Sequence, residues 1–210
     1  MNEMEERIGI LGGSFDPVHN GHVALARAAI RARKLDRVLL IPAAIQPLKQ
    51  HGAAASGEAR LEMLRIACAR NPRLVPDPIE LDRGGFSFLW ETLEELQRRH
   101  PRAKLFFIIG MDALRDLHNW RRVPRLLELC EFLVAARPGV KLPSAEQLRL
   151  PEPWPEKLLA NIIECPAVDV SSSEIRGRIA QKLPVHHLLP RGVATCVRRH
   201  KLYQPKENNP

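Results

Sequence analysis

Aromatic residues make up only 5% of this 210-residue chain, which is thin for a protein that grips single-stranded nucleic acid by stacking bases. Cysteine is confined to Cys68, Cys130, Cys165 and Cys196, dispersed with no C-x-x-C pair and no histidine at zinc spacing. Neither a disulfide framework nor a structural metal is therefore expected. Three of the four lie in apolar surroundings, where a thiol serves as a small hydrophobe, and a reducing compartment fits. No apolar run approaches the roughly 18–20 residues that cross a bilayer. Residues 1–7 are polar and acidic, and the apolar stretch after them breaks at Gly12-Gly13, unlike a secretory signal. These absences point to a cytoplasmic protein with no membrane partner. The chain has no internal repeat.

What is present suits a folded enzyme or binding protein. Hydrophobic residues at 45% and charged residues at 27% are enough to bury a core and keep the surface wet. Residues 1–210 read as one domain, with a proline-rich connector near 140–155 and a helical part near 172–203. Lys and Arg number 32 against 24 Asp and Glu, an excess that favours anionic partners such as nucleotides and phosphates. The basic pairs Arg98-Arg99, Arg121-Arg122 and Arg198-Arg199 are scattered, and solvated helix faces explain them equally well.

Short apolar runs alternate with helical periodicity, the pattern of an α/β, doubly wound parallel sheet covered by helices. Strands are expected at 8–11, 37–41, 104–109 and 131–136, with a weaker one near 74–80 and a last one at 162–170. The segment 104–109, KLFFII, reads as a central strand because it is apolar on both faces. Helices are expected at 21–34, 58–70, 87–99, 172–181 and 190–200. Ligands of such sheets bind at the carboxyl ends of the strands, so the loops after Leu11, Ile41, Ile109 and Val170 should gather there.

One of those loops carries the strongest motif, Gly12-Gly13-Ser14-Phe15-Asp16-Pro17-Val18-His19-Asn20-Gly21-His22. Paired glycines let backbone amides approach a ligand, and the helix that follows opens with unsatisfied N–H groups that favour an anion. His19 and His22, three residues apart, can turn their rings to one side of that helix mouth. The combination is a cradle for a polyphosphate. A second segment, Ser171-Ser172-Ser173-Glu174-Ile175-Arg176, opens another helix, with hydroxyls and amides that can cap it or hold phosphate oxygens. Arg176 adds a planar fork one turn later.

G-G-S-F-D-P-x-H-x-G-H resembles the ATP-binding signature of the H-x-G-H nucleotidyltransferase superfamily. Further segments are similar to one branch, the bacterial nicotinate-nucleotide adenylyltransferases. They include Pro47-Leu48-Lys49, Arg60-x-x-Met63, Arg83-Gly84-Gly85-x-Ser87, Glu91-Thr92-Leu93, Gly110-Met111-Asp112, Trp120 and Ala136-Arg137-Pro138-Gly139. The matches run in order from residue 8 to about residue 203, and their joint occurrence is far more specific than any one of them.

The resemblance implies a Rossmann-like sheet of the nucleotidyltransferase type. It also implies adenylyl transfer from ATP to nicotinate mononucleotide, giving nicotinate adenine dinucleotide and pyrophosphate in NAD biosynthesis. It assigns ATP to Gly12, Gly13, Ser14, Phe15, His19, His22, Ser172, Ser173 and Arg176, with His19, His22 and Arg176 as the catalytic set. It assigns the mononucleotide to Lys49, Leu89, Gly110, Asp112, Trp120 and Arg137, with Trp120 stacking on the pyridine ring. Mg²⁺ is expected to bridge phosphates with few protein ligands, and no metal-binding residue is assigned. Nicotinamide mononucleotide, phosphopantetheine and a cytidylyl acceptor are the alternative substrates. A nucleic-acid partner is not expected, and a homo-oligomer is compatible with the reading. Two departures touch the acceptor side. Leu48 stands where the family usually has histidine, and Leu89 where it usually has threonine, leaving a backbone N–H at that helix start to hold the pyridine carboxylate.

Overall fold

The computed structural model describes residues 5–45, 52–137, 139–166 and 168–205. Lys49 and Leu48 lie outside the described residues, as does Pro138. Six parallel strands form one sheet: β1 (Arg7–Gly13), β2 (Arg37–Pro42), β3 (Leu74–Pro76), β4 (Lys104–Gly110), β5 (Glu131–Ala136) and β6 (Ile162–Glu164). Their order is β3-β2-β1-β4-β5-β6, the doubly wound arrangement whose topological switch falls between β1 and β4. The connecting helices are α1 (Asn20–Arg33), α2 (Gly57–Cys68), α3 (Ile79–Arg83), α4 (Leu89–Arg99), α5 (Met111–Asp116), α6 (Val123–Leu129) and α7 (Trp154–Ala160). Two more, α8 (Ser172–Ala180) and α9 (Val193–Arg199), follow the last strand.

The central strands are buried on both faces, so alternate residues feed two separate cores. On one side Leu11, Val38, Leu40, Phe106, Ile108 and Leu133 pack with α1, α2, α8 and α9. On the other, Ile8, Ile10, Leu39, Phe107, Ile109 and Phe132 pack with α4 to α7. Gly9 marks a close approach: a Cβ there would sit 2.7 Å from Leu35 Cδ1 and 2.8 Å from Val38 Cγ2. Among the described residues no helix is long and apolar enough to cross a membrane.

Three sequence expectations are corrected. The strand near 74–80 stops at Pro76, because prolines at 76 and 78 cannot donate to a ladder. The Asp77 carboxylate instead accepts from Ile79 N at 2.9 Å and opens α3. The strand at 162–170 ends at Glu164, two residues before Pro166, and Val170 follows in irregular backbone. Between residues 111 and 129, where no element was expected, the chain forms α5, a short 3-10 turn at Leu117–Asn119, and α6. The 140–155 connector is mostly irregular, with one 3-10 turn at Glu146–Leu148 and the start of α7 at Trp154.

Cys196 and His200 do come together, despite the absence of an obvious zinc spacing, and meet Glu62 of α2 with their ligand atoms within 4.8 Å of one another. Glu62 is already engaged there by Arg199 and by His200 Nε2 at 2.9 Å. The group acts as an ion-paired clasp between α2 and α9. All four cysteines are free thiols, and Cys68, Cys130 and Cys196 are buried.

Candidate active site

The β1–α1 loop leaves the sheet at the switch point and carries its histidines over the mouth of α1. His19 is the extended residue that caps α1, and its backbone N–H donates to His22 Nδ1 at 3.2 Å. Because Nδ1 accepts, neutral His22 carries its proton on Nε2. The two rings stack, with centroids 3.7 Å apart and planes 28° from parallel. Gly21 makes this possible. A Cβ at that position would lie 3.0 Å from His19 Nδ1, 3.1 Å from His19 Cε1 and 3.3 Å from Val170 Cγ1.

His19 is only 8% exposed, and burial lowers its pKa from 6.5 to about 4, so the ring is neutral near pH 7. Its Nδ1 is buried without a hydrogen-bond partner. Such an orphaned ring nitrogen, beside a helix N-terminus, suits a ligand with strong acceptor oxygens.

A cavity of about 660 Å³ opens beside these rings. Gly13, Ser14, His19 and His22 line it from the β1–α1 side, and Ser172, Ser173 and Arg176 line it from the start of α8. Seven of the residues singled out from sequence thus meet in one place. Ser171 is the N-cap of α8, accepting from Glu174 N at 3.1 Å, which frees Ser172 to donate to Pro17 O at 3.0 Å. Arg176 donates to Asp16 O at 2.8 Å and to Ser173 Oγ at 3.2 Å. The two cavity-lining segments, about 155 residues apart in sequence, are therefore bound directly to each other.

Phe15 does not line this cavity. It is buried, in a left-handed conformation with φ 49°, and its ring packs 4.9 Å from that of His22. Gly12 lies within β1 opposite Ile41. The remaining predicted residues sit elsewhere along the carboxyl edge of the sheet. Gly110 ends β4 and caps α5, while Asp112 is fully exposed and pairs with Arg115 at 3.7 Å. Trp120 packs edge-on to Phe107, with centroids 6.1 Å apart. Leu89 opens α4, and Arg137 faces Asp169 at 3.7 Å on the surface.

Two residues without an assigned role prove central. Asp16, 3% exposed, accepts from Ala54 N at 2.7 Å, Ala55 N at 3.0 Å and the Tyr203 hydroxyl at 2.8 Å. Arg60, also 3% exposed, donates to Ser14 O and Ala43 O, each at 2.8 Å. It ties the loop after β1 to the loop after β2. Both residues stood inside recognisable motifs, but neither motif states that its charge points inward. A second polar knot, Glu80 with Thr92 at 2.8 Å and Arg83 with Thr92 at 3.1 Å, joins α3 to α4. Burial pushes the Glu80 carboxyl up. Ser87 Oγ then accepts from Ala44 N at 2.9 Å and anchors this part to the β2 loop.

A nucleotide-sized cavity at the switch point of a 3-2-1-4-5-6 parallel sheet defines a nucleotide-binding protein of the Rossmann-like class. The family model described as "Cytidylyltransferase-like" matches residues 10–178. A Roseiflexus sp. (strain RS-1) protein named "Probable nicotinate-nucleotide adenylyltransferase" is 43% identical over 197 residues, 94% of this chain and 98% of the relative. A protein of the same name from Moorella thermoacetica is 37% identical over 95% of this chain and 93% of its own. Among solved structures, the fold matches Plasmodium falciparum nicotinic acid mononucleotide adenylyltransferase complexed with NaAD. The TM-score is 0.73 at 16% identity, over 94% of this chain and 97% of the other. The chain belongs to the cytidylyltransferase-like family and is a nucleotidyltransferase, with the nicotinate-nucleotide adenylyltransferases as its relatives.

Proposed function

We propose that the protein transfers AMP from ATP to nicotinate mononucleotide, forming nicotinate adenine dinucleotide and releasing pyrophosphate. The observation that carries this reading is the convergence of His19, His22, Ser172 and Arg176 on one cavity in a chain with full-length relatives of that name. A phosphate oxygen of the mononucleotide attacks the α-phosphorus, and the bond from that phosphorus to the pyrophosphate oxygen breaks. The attacking oxygen is already anionic at neutral pH, so no side chain has to remove a proton. The protein supplies alignment and relief of the charge that gathers on the transferred and departing groups.

His22 donates from Nε2 to those oxygens, and neutral His19 donates from whichever nitrogen carries its proton. Ser172 through its backbone N–H at the start of α8, Ser173 through its hydroxyl and the Arg176 fork hold the β- and γ-phosphates. Gly13 and Ser14 contribute backbone at the α1 mouth. Gly110, Asp112, Leu89, Trp120 and Arg137 form the acceptor side, with Trp120 against the pyridine ring and the Leu89 backbone N–H toward its carboxylate. Among the described residues the one carboxylate lining the cavity, Asp16, is taken up by Ala54, Ala55 and Tyr203. That suits Mg²⁺ carried by phosphate oxygens and water, where it would offset their negative charge.

Pyrophosphate release is measured with ATP and equal concentrations of the acid and the amide mononucleotide. Product mainly from the acid is expected. Product mainly from the amide would replace the acceptor and keep the chemistry, and no product from either would overturn the reaction.

A further inference from the structure

Apart from the reaction cavity and sharing none of its lining residues, a second cavity of about 530 Å³ lies between the end of α5 and the proline-rich connector. Arg115 and His118 approach it from the α5 side, and Lys141, Gln147 and Arg149 from the connector. We propose that it is a second anion site, built for a nucleotide-sized phosphate ester. The proposal does not depend on the reaction above.

Among the described residues three charged side chains surround this cavity and no carboxylate lines it. Arg115 has an acidic neighbour in Asp112 at 3.7 Å, but both are well exposed, and such a pair is largely screened. Like charges gathered around one concavity focus a positive potential into it and lower the energy of an anion there. One of the cations is also held in place. Arg115 donates to Lys141 O at 3.2 Å, which binds the connector to α5. Leu148, fully buried, pins the 3-10 turn whose neighbours Gln147 and Arg149 reach the cavity. Arg149, the C-cap of that turn, adopts a left-handed conformation, φ 54°, where the chain leaves it.

A second, independent observation is His118. Its Nδ1 is buried with no hydrogen-bond partner, in a ring that lines the cavity. Among the described residues only three side chains have such an atom, and the other two, His19 and Arg60, belong to the reaction cavity and its supports.

The size and the remaining wall select the ligand class. The volume lies within the ~300–1,000 Å³ typical of small-molecule sites, far beyond the need of a bare phosphate. Leu142, 47% exposed, and Pro143 offer an apolar face for a ring, and the Gln147 amide offers a donor and an acceptor for its edge. The three cations supply the phosphate contacts.

Calorimetric titration with AMP, and separately with inorganic phosphate, tests the site on the full chain. The expected result is an AMP site that Lys141→Glu/Arg149→Glu removes and Arg176→Ala leaves in place. Both substituted residues of the first variant are exposed, and its melting temperature and its turnover without added AMP should match those of the parent. AMP should bind about tenfold more tightly than phosphate, the contribution of the ring against Leu142 and Pro143. If the charge-reversed pair binds as much AMP as the parent, the site does not exist. If AMP binds no tighter than phosphate, the nucleotide-sized ligand is wrong.

Discussion

The hydroxyl of Tyr203 donates to Asp16 Oδ1 at 2.8 Å, closing a contact across 187 residues. Tyr203 is the single tyrosine of the chain, sits four residues past the end of α9 and itself adopts a left-handed conformation, φ 63°. The same carboxylate holds the Ala54 and Ala55 amides, and the backbone of Asp16 holds Arg176. The last described segment of the chain thereby braces the loop that lines the cavity beside His19 and His22.

Tyr203→Phe removes the donor and leaves a buried carboxylate short of one partner. Thermal or denaturant unfolding should show a loss of about 1.5 kcal/mol, the scale of a hydrogen bond to a charged group. Burial and then the Asp16 charge raise the phenol's pKa well above its ordinary value near 10. The folded protein therefore keeps a proton that the unfolded chain loses, and stability should fall as the pH rises past about 10. Tyrosinate absorbance of the parent should appear together with unfolding, and an ordinary titration near 10 with the fold intact would contradict the buried contact.

His19 titrates in the opposite sense. Its folded pKa of about 4 lies below the ordinary 6.5, so the unfolded chain binds a proton that the folded chain refuses. The stability associated with neutral His19 is present above pH 6.5 and is lost as the pH falls from there toward 4. Melting temperatures taken stepwise from pH 7 to 5 should decline less in His19→Asn than in the parent. Equal declines would remove His19 from the acid response.

On the proposed reading His22→Ala deletes a donor to the phosphate oxygens, and it also takes away the Nδ1 that accepts from His19 N at 3.2 Å, so a melting curve must first show the fold intact. Turnover in the pyrophosphate-release assay should drop by about 10²–10³, with a much smaller change in KM. A change confined to KM would make His22 a binding group only.

Gly21→Ala separates packing for stability from packing for chemistry. Alanine is the better helix former, yet its methyl would press on the His19 ring and on Val170. The melting temperature should change little, while turnover falls by about tenfold as the ring is pushed aside by a few tenths of an ångström. Full activity in a stably folded Gly21→Ala would mean that His19 has room to spare.

Four of the six strands, β1, β2, β4 and β5, are legible within two residues because each is apolar on both faces and bounded by glycine, proline or charge. α1 is legible because its 14 residues give several turns of apolar spacing. α5 and α6, with six and seven residues, are too short for that spacing to stand out, and the linkers around them carry apolar residues of their own. The strand ends near 77 and 165 were overrun because hydrophobic composition continued where proline had already removed the ladder's donors.

The local grammar of the chain sets the cradle. Glycines, histidines and serines placed at two helix starts mark two candidate anion-binding segments by their spacing, since neighbours within one turn need no other part of the protein to find one another, whereas the meeting of the two segments is tertiary. Spacing does not say which charges turn inward. Asp16 and Arg60 are buried and paired only because the loops after β1 and β2, the start of α8 and the tail at Tyr203 are folded against one another. Burial makes those contacts strong, and burial is a property of the assembled molecule.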